Sequence, residues 1–122
     1  VGHAGGLDAV SNTGLSTAAL AGRLEALLAG DPPERPLFLF VDLLGGSCAG
    51  ACAELLRTRR ARLFTGVNLP MVIAFIQCRE TMGEEELAAG ILMRAHRGIA
   101  VLPASPAAAG AAAGPGGAGA RA

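Results

Sequence analysis

The sequence predicts an α/β fold: an open, mainly parallel sheet flanked by helices. Three observations predict it. Leu37–Val41 is an unbroken apolar run of strand length, the pattern of a parallel strand buried on both faces. A glycine turn follows it at Gly45–Gly46, and another follows the strand-like stretch Arg62–Thr65 at Gly66. Segments with helical spacing of apolar residues alternate with these runs, as in parallel sheets built from β-α-β units.

The elements can be justified in chain order. Leu7–Val10 reads as a short strand, and Ser11–Gly14 as a turn. Ser16 is placed to cap a helix over Thr17–Ala29, with Leu20, Leu24, Leu27 and Leu28 on one face. Gly30 and the Pro32–Pro33 pair end it. The Leu37 strand and its glycine turn lead into a helix that Ser47 would cap and that runs to about Arg60. Its basic tail, Arg57–Arg60, suits the negative end of a helix dipole, so a solvated helix end is expected there rather than a binding patch. After the strand Arg62–Thr65, Asn68 can cap a helix whose first turn accepts Pro70 and which Val72, Ile73, Phe75 and Ile76 make mostly buried. Glu84–Glu86 open one more helix at its positive end, with Leu87, Ile91 and Leu92 inward; His96 and Arg97 close it. His96 fits a favourable helix-end charge better than a catalyst. Gly98–Leu102 reads as a last edge strand. The domain is therefore expected over residues 1–102. Residues 103–122 are almost entirely Ala, Gly and Pro, a composition that builds no core and reads as a disordered tail or linker.

Composition narrows the chemistry. Acidic and basic residues balance at ten each, so no global field selects nucleic acid or an acidic membrane. Every base is Arg, which excludes Schiff-base lysine chemistry and a Walker A lysine. With no Trp or Tyr and only four Phe, platforms for stacking nucleic-acid bases are not expected. Cys48, Cys52 and Cys78 do not make a disulfide framework, and neither His3 nor His96 stands at zinc-finger spacing from them. Buried free thiols, no metal and a cytoplasmic location follow as expectations. No apolar run approaches the roughly 20 residues needed to span a bilayer, and no secretory leader pattern opens the chain.

The candidate site lies where the two glycine turns meet. Successive parallel strands put the segments Asp42–Ser47 and Gly66–Asn68 on the same edge of the sheet. There Asp42 offers a carboxylate, Gly45 and Gly46 offer close backbone approach, Ser47 and Asn68 offer hydrogen bonds, and two helix N-termini offer N–H groups to an anion. Ser47 has no evident His partner, and the glycine spacing of a dinucleotide fold is absent. The residues by themselves lead to an anion-accepting α/β domain.

Val41–Ser47 followed by Gly66–Met71 resembles the enzyme IIA component of the mannose/fructose (type 4) phosphotransferase system. The resemblance continues through Glu84–Leu87 and Arg97–Ile99, and covers roughly Gly6 to Leu102. It implies a cytoplasmic phosphoryl carrier that takes phosphate from phosphohistidine HPr onto a His and passes it to a IIB component for sugar uptake. It also implies a homodimer with an exchanged C-terminal strand, matched by Gly98–Leu102, and a membrane link only through the transporter. Asp42 then matches the carboxylate that orients the active His, and Ser47 a phosphate-contacting hydroxyl. Gly45, Gly46 and Asn68 belong to the loops beside the phosphate. No cofactor is implied.

The departure is at the front. Val1–Leu7 resembles the end of the family's first helix and the loop into its second strand. On that reading the first central strand, first helix and nucleophile are not in this sequence, and the sheet has a gap between Leu7–Val10 and the Leu37 strand. The competing placement makes His3 the phospho-acceptor. Two other functions stay open beside the carrier: a non-catalytic regulatory or partner-binding module that keeps the fold, and the related phosphoryl-donor subunit of a dihydroxyacetone kinase.

Overall fold

A computed structural model describes residues 5–103. The elements run α1 (Thr17–Leu27), β1 (Leu37–Phe40), α2 (Ser47–Thr58), β2 (Ala61–Phe64), α3 (Leu69–Cys78) and α4 (Glu84–Arg97). β1 and β2 pair in parallel, with Leu37 opposite Ala61 and Phe40 opposite Phe64. The α/β class and the parallel sheet expected from the sequence are therefore present, with helices packed on the sheet.

Strand alternation divides the core in two. Phe38, Phe40 and Phe64 share one face, where they meet Phe75 of α3; neighbouring ring centroids lie 5.2–5.8 Å apart, so all four phenylalanines form one cluster. Behind them Met71 and Ala74 of α3 pack on Leu87, Ile91 and Ala95 of α4. On the other face α2 packs on β2 and on α1, burying Leu20, Leu28, Ala51, Cys52 and Leu55.

Capping follows local chemistry at α1 and α3. The Ser16 hydroxyl accepts from Ala19 N at 3.1 Å, and the Asn68 side chain accepts from Met71 N at 3.1 Å. At α2 the expectation is corrected. Gly46 is the N-cap, and Ser47 is the first helical residue. The basic tail of α2 is a largely solvated end, with Arg57, Thr58 and Arg60 exposed, that also tethers its neighbours. Arg59 donates to the carbonyls of Leu28 and Asp31, which closes the end of α1, and Arg60 and Arg62 both pair with Glu84 at the start of α4. Arg62 also pairs with Glu85.

Five further expectations need correction. Neither Leu7–Val10 nor Gly98–Leu102 is a strand; both are irregular, and Ile99, Val101 and Leu102 are exposed. An edge segment becomes a strand only by pairing, and neither β1 nor β2 hydrogen-bonds to these two. β1 is half-buried, not buried on both faces, because among the described residues it has one neighbouring strand only. On α3 the inward positions are Met71 and Ala74, while Ile73 and Ile76 face solvent, since the sheet and α4 cover only one side of the helix. On α4, Ala95 takes the inward place expected for Leu92, because Leu87, Ile91 and Ala95 keep the four-residue spacing. The gap expected beside the Leu37 strand is a groove of about 990 Å³ along the open edge of β1, lined by Leu7–Val10 on its far side. The strand exchange lies beyond what one chain displays, and residues 104–122 of the expected tail lie outside the described residues.

Candidate functional site

The two loops after β1 and β2 are joined by their backbones. Gly66 N donates to Asp42 O at 2.9 Å, and Val67 N donates to Val41 O at 3.1 Å, which extends the parallel ladder past the strand ends. Gly45 (φ +86°) and Gly66 (φ +67°) sit in the left-handed region, so each loop reverses at a residue without a Cβ. Asp42, Gly45, Gly46, Ser47 and Asn68 are thus brought to one sheet edge, as the sequence predicts.

Their side chains differ in what they have free. The Asp42 carboxylate is exposed, and it makes no hydrogen bond or ion pair with any described residue. Ser47 is also exposed, at the first position of α2. Gly46 supplies no side-chain acceptor, and the first turn of α2 holds no acid, so the positive end of this helix is uncompensated. The earliest intrahelical bond runs from Gly50 N to Gly46 O. The N–H groups of α2's first turn are therefore available to an anion.

Asn68 is the cap of α3 that the sequence predicts, and its side chain makes a second bond besides. Its Oδ1 accepts from Met71 N, and its Nδ2 donates to Ala95 O at 3.1 Å on the last turn of α4. With both ends of the amide engaged, Asn68 positions the loop and clamps α4 to it, and the second Nδ2 hydrogen is the side-chain donor it has left. Gly98 completes the clamp, because a Cβ there would stand 2.4 Å from Pro70 Cγ. Sequence reasoning missed the roles of Ala95 and Gly98, which arise only when α4 folds back on α3. Capping chemistry pointed to Asn68, but not to its second bond.

Cys48 follows Ser47, and Cys52 lies one turn deeper and buried. Burial, and then the neighbouring Cys48, push the Cys52 thiol above its ordinary value. Such a thiol is a core group and a poor nucleophile. Among the described residues no group of three or more His, Cys, Asp or Glu side chains gathers as a metal site. No described helix is long and apolar enough to cross a membrane. His96 is exposed on the last turn of α4. His3 lies outside the described residues.

The family model for the fructose IIA component of the phosphotransferase system matches residues 13–92, about two-thirds of the chain. The chain belongs to this IIA family. The matched span of the IIA domain contains Asp42, Gly45, Gly46, Ser47 and Asn68; His3 precedes it. Among solved structures it is similar to the phosphotransferase system component EIIA from Streptococcus agalactiae, with a TM-score of 0.64 and 22% sequence identity. That likeness covers 72% of this chain and 68% of the other, and at this identity it speaks for the fold. A search of curated protein sequences gives no match.

Proposed function

We propose that this IIA domain is a phosphoryl carrier of a sugar phosphotransferase system, accepting phosphate from HPr and passing it to a IIB component. The observation that carries the reading is the pairing of an exposed Asp42, without a side-chain partner among the described residues, with the open N-terminus of α2 on the same loop. A carboxylate beside an anion cradle suits an acceptor imidazole better than it suits a phosphate alone, since Asp42 and phosphate repel each other unless a proton-bearing ring lies between them.

In this reading Asp42 accepts the N–H of one imidazole nitrogen, which leaves the lone pair of the other free to attack. That lone pair attacks the phosphorus of the donor's phosphohistidine. The new N–P bond forms as the donor's N–P bond breaks, and its electron pair returns to the donor ring. No proton is gained or lost, and no metal is required. Ser47 and the first-turn N–H groups of α2 hold the phosphoryl oxygens. Asn68 keeps the neighbouring loop in place.

His3 is this chain's candidate acceptor, and the sequence has only two histidines. Incubation with radiolabelled phospho-HPr is expected to give acid-labile, alkali-stable label that His3→Gln abolishes and His96→Gln retains. Asp42→Asn is expected to slow labelling by about 10²-fold, within the usual range for losing a positioned proton partner. A folded parent chain that takes no label would reject His3 as the acceptor and leave the reading in which the acceptor is not in this sequence, or a binding module.

A further inference from the structure

We propose that Cys48 and Cys52, one turn apart on α2, form a two-thiolate clamp for a soft monovalent cation of the copper(I) class. The site is independent of the carrier reading and uses none of the groups assigned to phosphate.

The helix makes the placement. Both cysteines lie within α2, four residues apart, so their side chains leave the same face one above the other. Both also line the groove beside β1, which gives a small ion a way in from solvent. Cys48 is half-buried at the mouth, and Cys52 is only 4% exposed. Burial, and then the neighbouring Cys48, raise the Cys52 thiol, so the two sulfurs lie within electrostatic reach of each other. The third thiol, Cys78, stands apart from this pair at the end of α3.

Spacing selects among the things two thiols can do. Residues four apart on a helix hold their Cβ atoms about 6 Å from each other. A disulfide needs about 3.5–4.5 Å, so an internal disulfide would break the turn that carries both cysteines. A linear sulfur–metal–sulfur bridge spans two metal–sulfur bonds, about 4.5 Å between the sulfurs. Rotation of the two side chains supplies that distance with the helix intact. Linear coordination by two thiolates is the habit of monovalent copper, and soft sulfur ligands select it. Zinc asks for four ligands, and among the described residues no group of three or more His, Cys, Asp or Glu gathers. Charge agrees with this choice. Two thiols and one copper(I) give a bis-thiolate complex and two released protons, with no change of oxidation state. The complex carries one negative charge. Cys48 places it at the first turn of α2, which holds no acid and has no side-chain cap, so the positive end of the helix compensates it.

The test is anaerobic titration of the full chain with copper(I) delivered from a coloured competing chelator. The expected result is one tightly held ion per chain, two protons released on binding, and two sulfur neighbours in the X-ray absorption spectrum. Cys48→Ser and Cys52→Ala are each expected to weaken binding by about 10²-fold or more, since a second ligand tethered on the same helix acts at high effective concentration. Cys78→Ser is the control and is expected to bind as the parent does. Because Cys52 belongs to the core, the decision rests on Cys48→Ser, with an unaltered melting temperature showing that it is folded. The inference fails if Cys48→Ser holds copper(I) as tightly as the parent, or if Cys78→Ser loses it. It fails also if one proton is released instead of two, or if sedimentation shows the ion bridging two chains.

Discussion

Asn68 shows how much one side chain can position. Its Oδ1 caps α3 while its Nδ2 holds the carbonyl of Ala95, so one amide fixes the start of one helix and the end of another. Asn68→Ala removes both bonds and leaves Met71 N and Ala95 O without these partners. A lost cap costs about 1 kcal/mol, and the lost bond to Ala95 O, a carbonyl that keeps its bond from Gly98 N, adds about 1 kcal/mol. The expected outcome is a loss of about 2 kcal/mol in urea unfolding with the slope unchanged. Asn68→Asp separates the two roles: the carboxylate still caps α3 but cannot donate to Ala95, so its loss should fall between those of the parent and the alanine variant. Equal stability of Asn68→Asp and Asn68→Ala would refute the division of labour. The residue was legible in the sequence as a cap, because capping is local. Its bond to Ala95, 27 positions away, was not, since nothing near either residue encodes the return of α4.

The same contrast between local and distant determinants runs through the elements. α1, α3 and α4 begin close to where capping residues, Pro70 and the Glu84–Glu86 run place them, because each signal acts within a turn. The loops of the candidate site were legible for that reason too: a strand end, a glycine and a helix start are read from a dozen residues. The elements that were misread depend on what lies alongside. Leu7–Val10 and Gly98–Leu102 have strand-like composition but no strand pairing with β1 or β2, and the exposure of Ile73 and Ile76 depends on which side of α3 is covered. Gly98 belongs to this group, since its need for a missing side chain comes from Pro70 across the α3–α4 contact. Gly98→Ala would put Cβ 2.4 Å from the rigid proline ring, so the end of α4 must move away from α3. Overpacking of this kind costs about 1–3 kcal/mol. A melting-temperature loss in Gly98→Ala that Pro70→Ala partly rescues would identify the contact; independent, additive losses would dismiss it.

At the scale of the whole molecule, β1 has one edge paired with β2 and one edge without a strand partner among the described residues. Along a parallel strand the N–H groups alternate between the two edges. Leu37 N donates to Arg60 O and Val41 N to Phe64 O, so the odd-numbered residues of β1 face β2. The N–H and C=O groups of Phe38 and Phe40 therefore face the groove, whose walls include Leu20 and Leu24 of α1 and Val72 and Phe75 of α3. The phenylalanine side chains anchor the centre of the core while their own backbones stand at its opening. Hydrogen exchange should reveal this alternation along β1 and the residue that follows it, Val41. The Leu39 and Val41 amides are expected to exchange only through larger openings, whereas Phe38 and Phe40 should exchange at least about 10²-fold faster, the difference between ladder-bonded and groove-facing amides. An open edge also favours pairing between molecules, so the ratio should fall as protein concentration rises if chains associate there. Uniform protection of all four amides at low concentration would mean that the groove is closed in solution and that β1 already has a second partner.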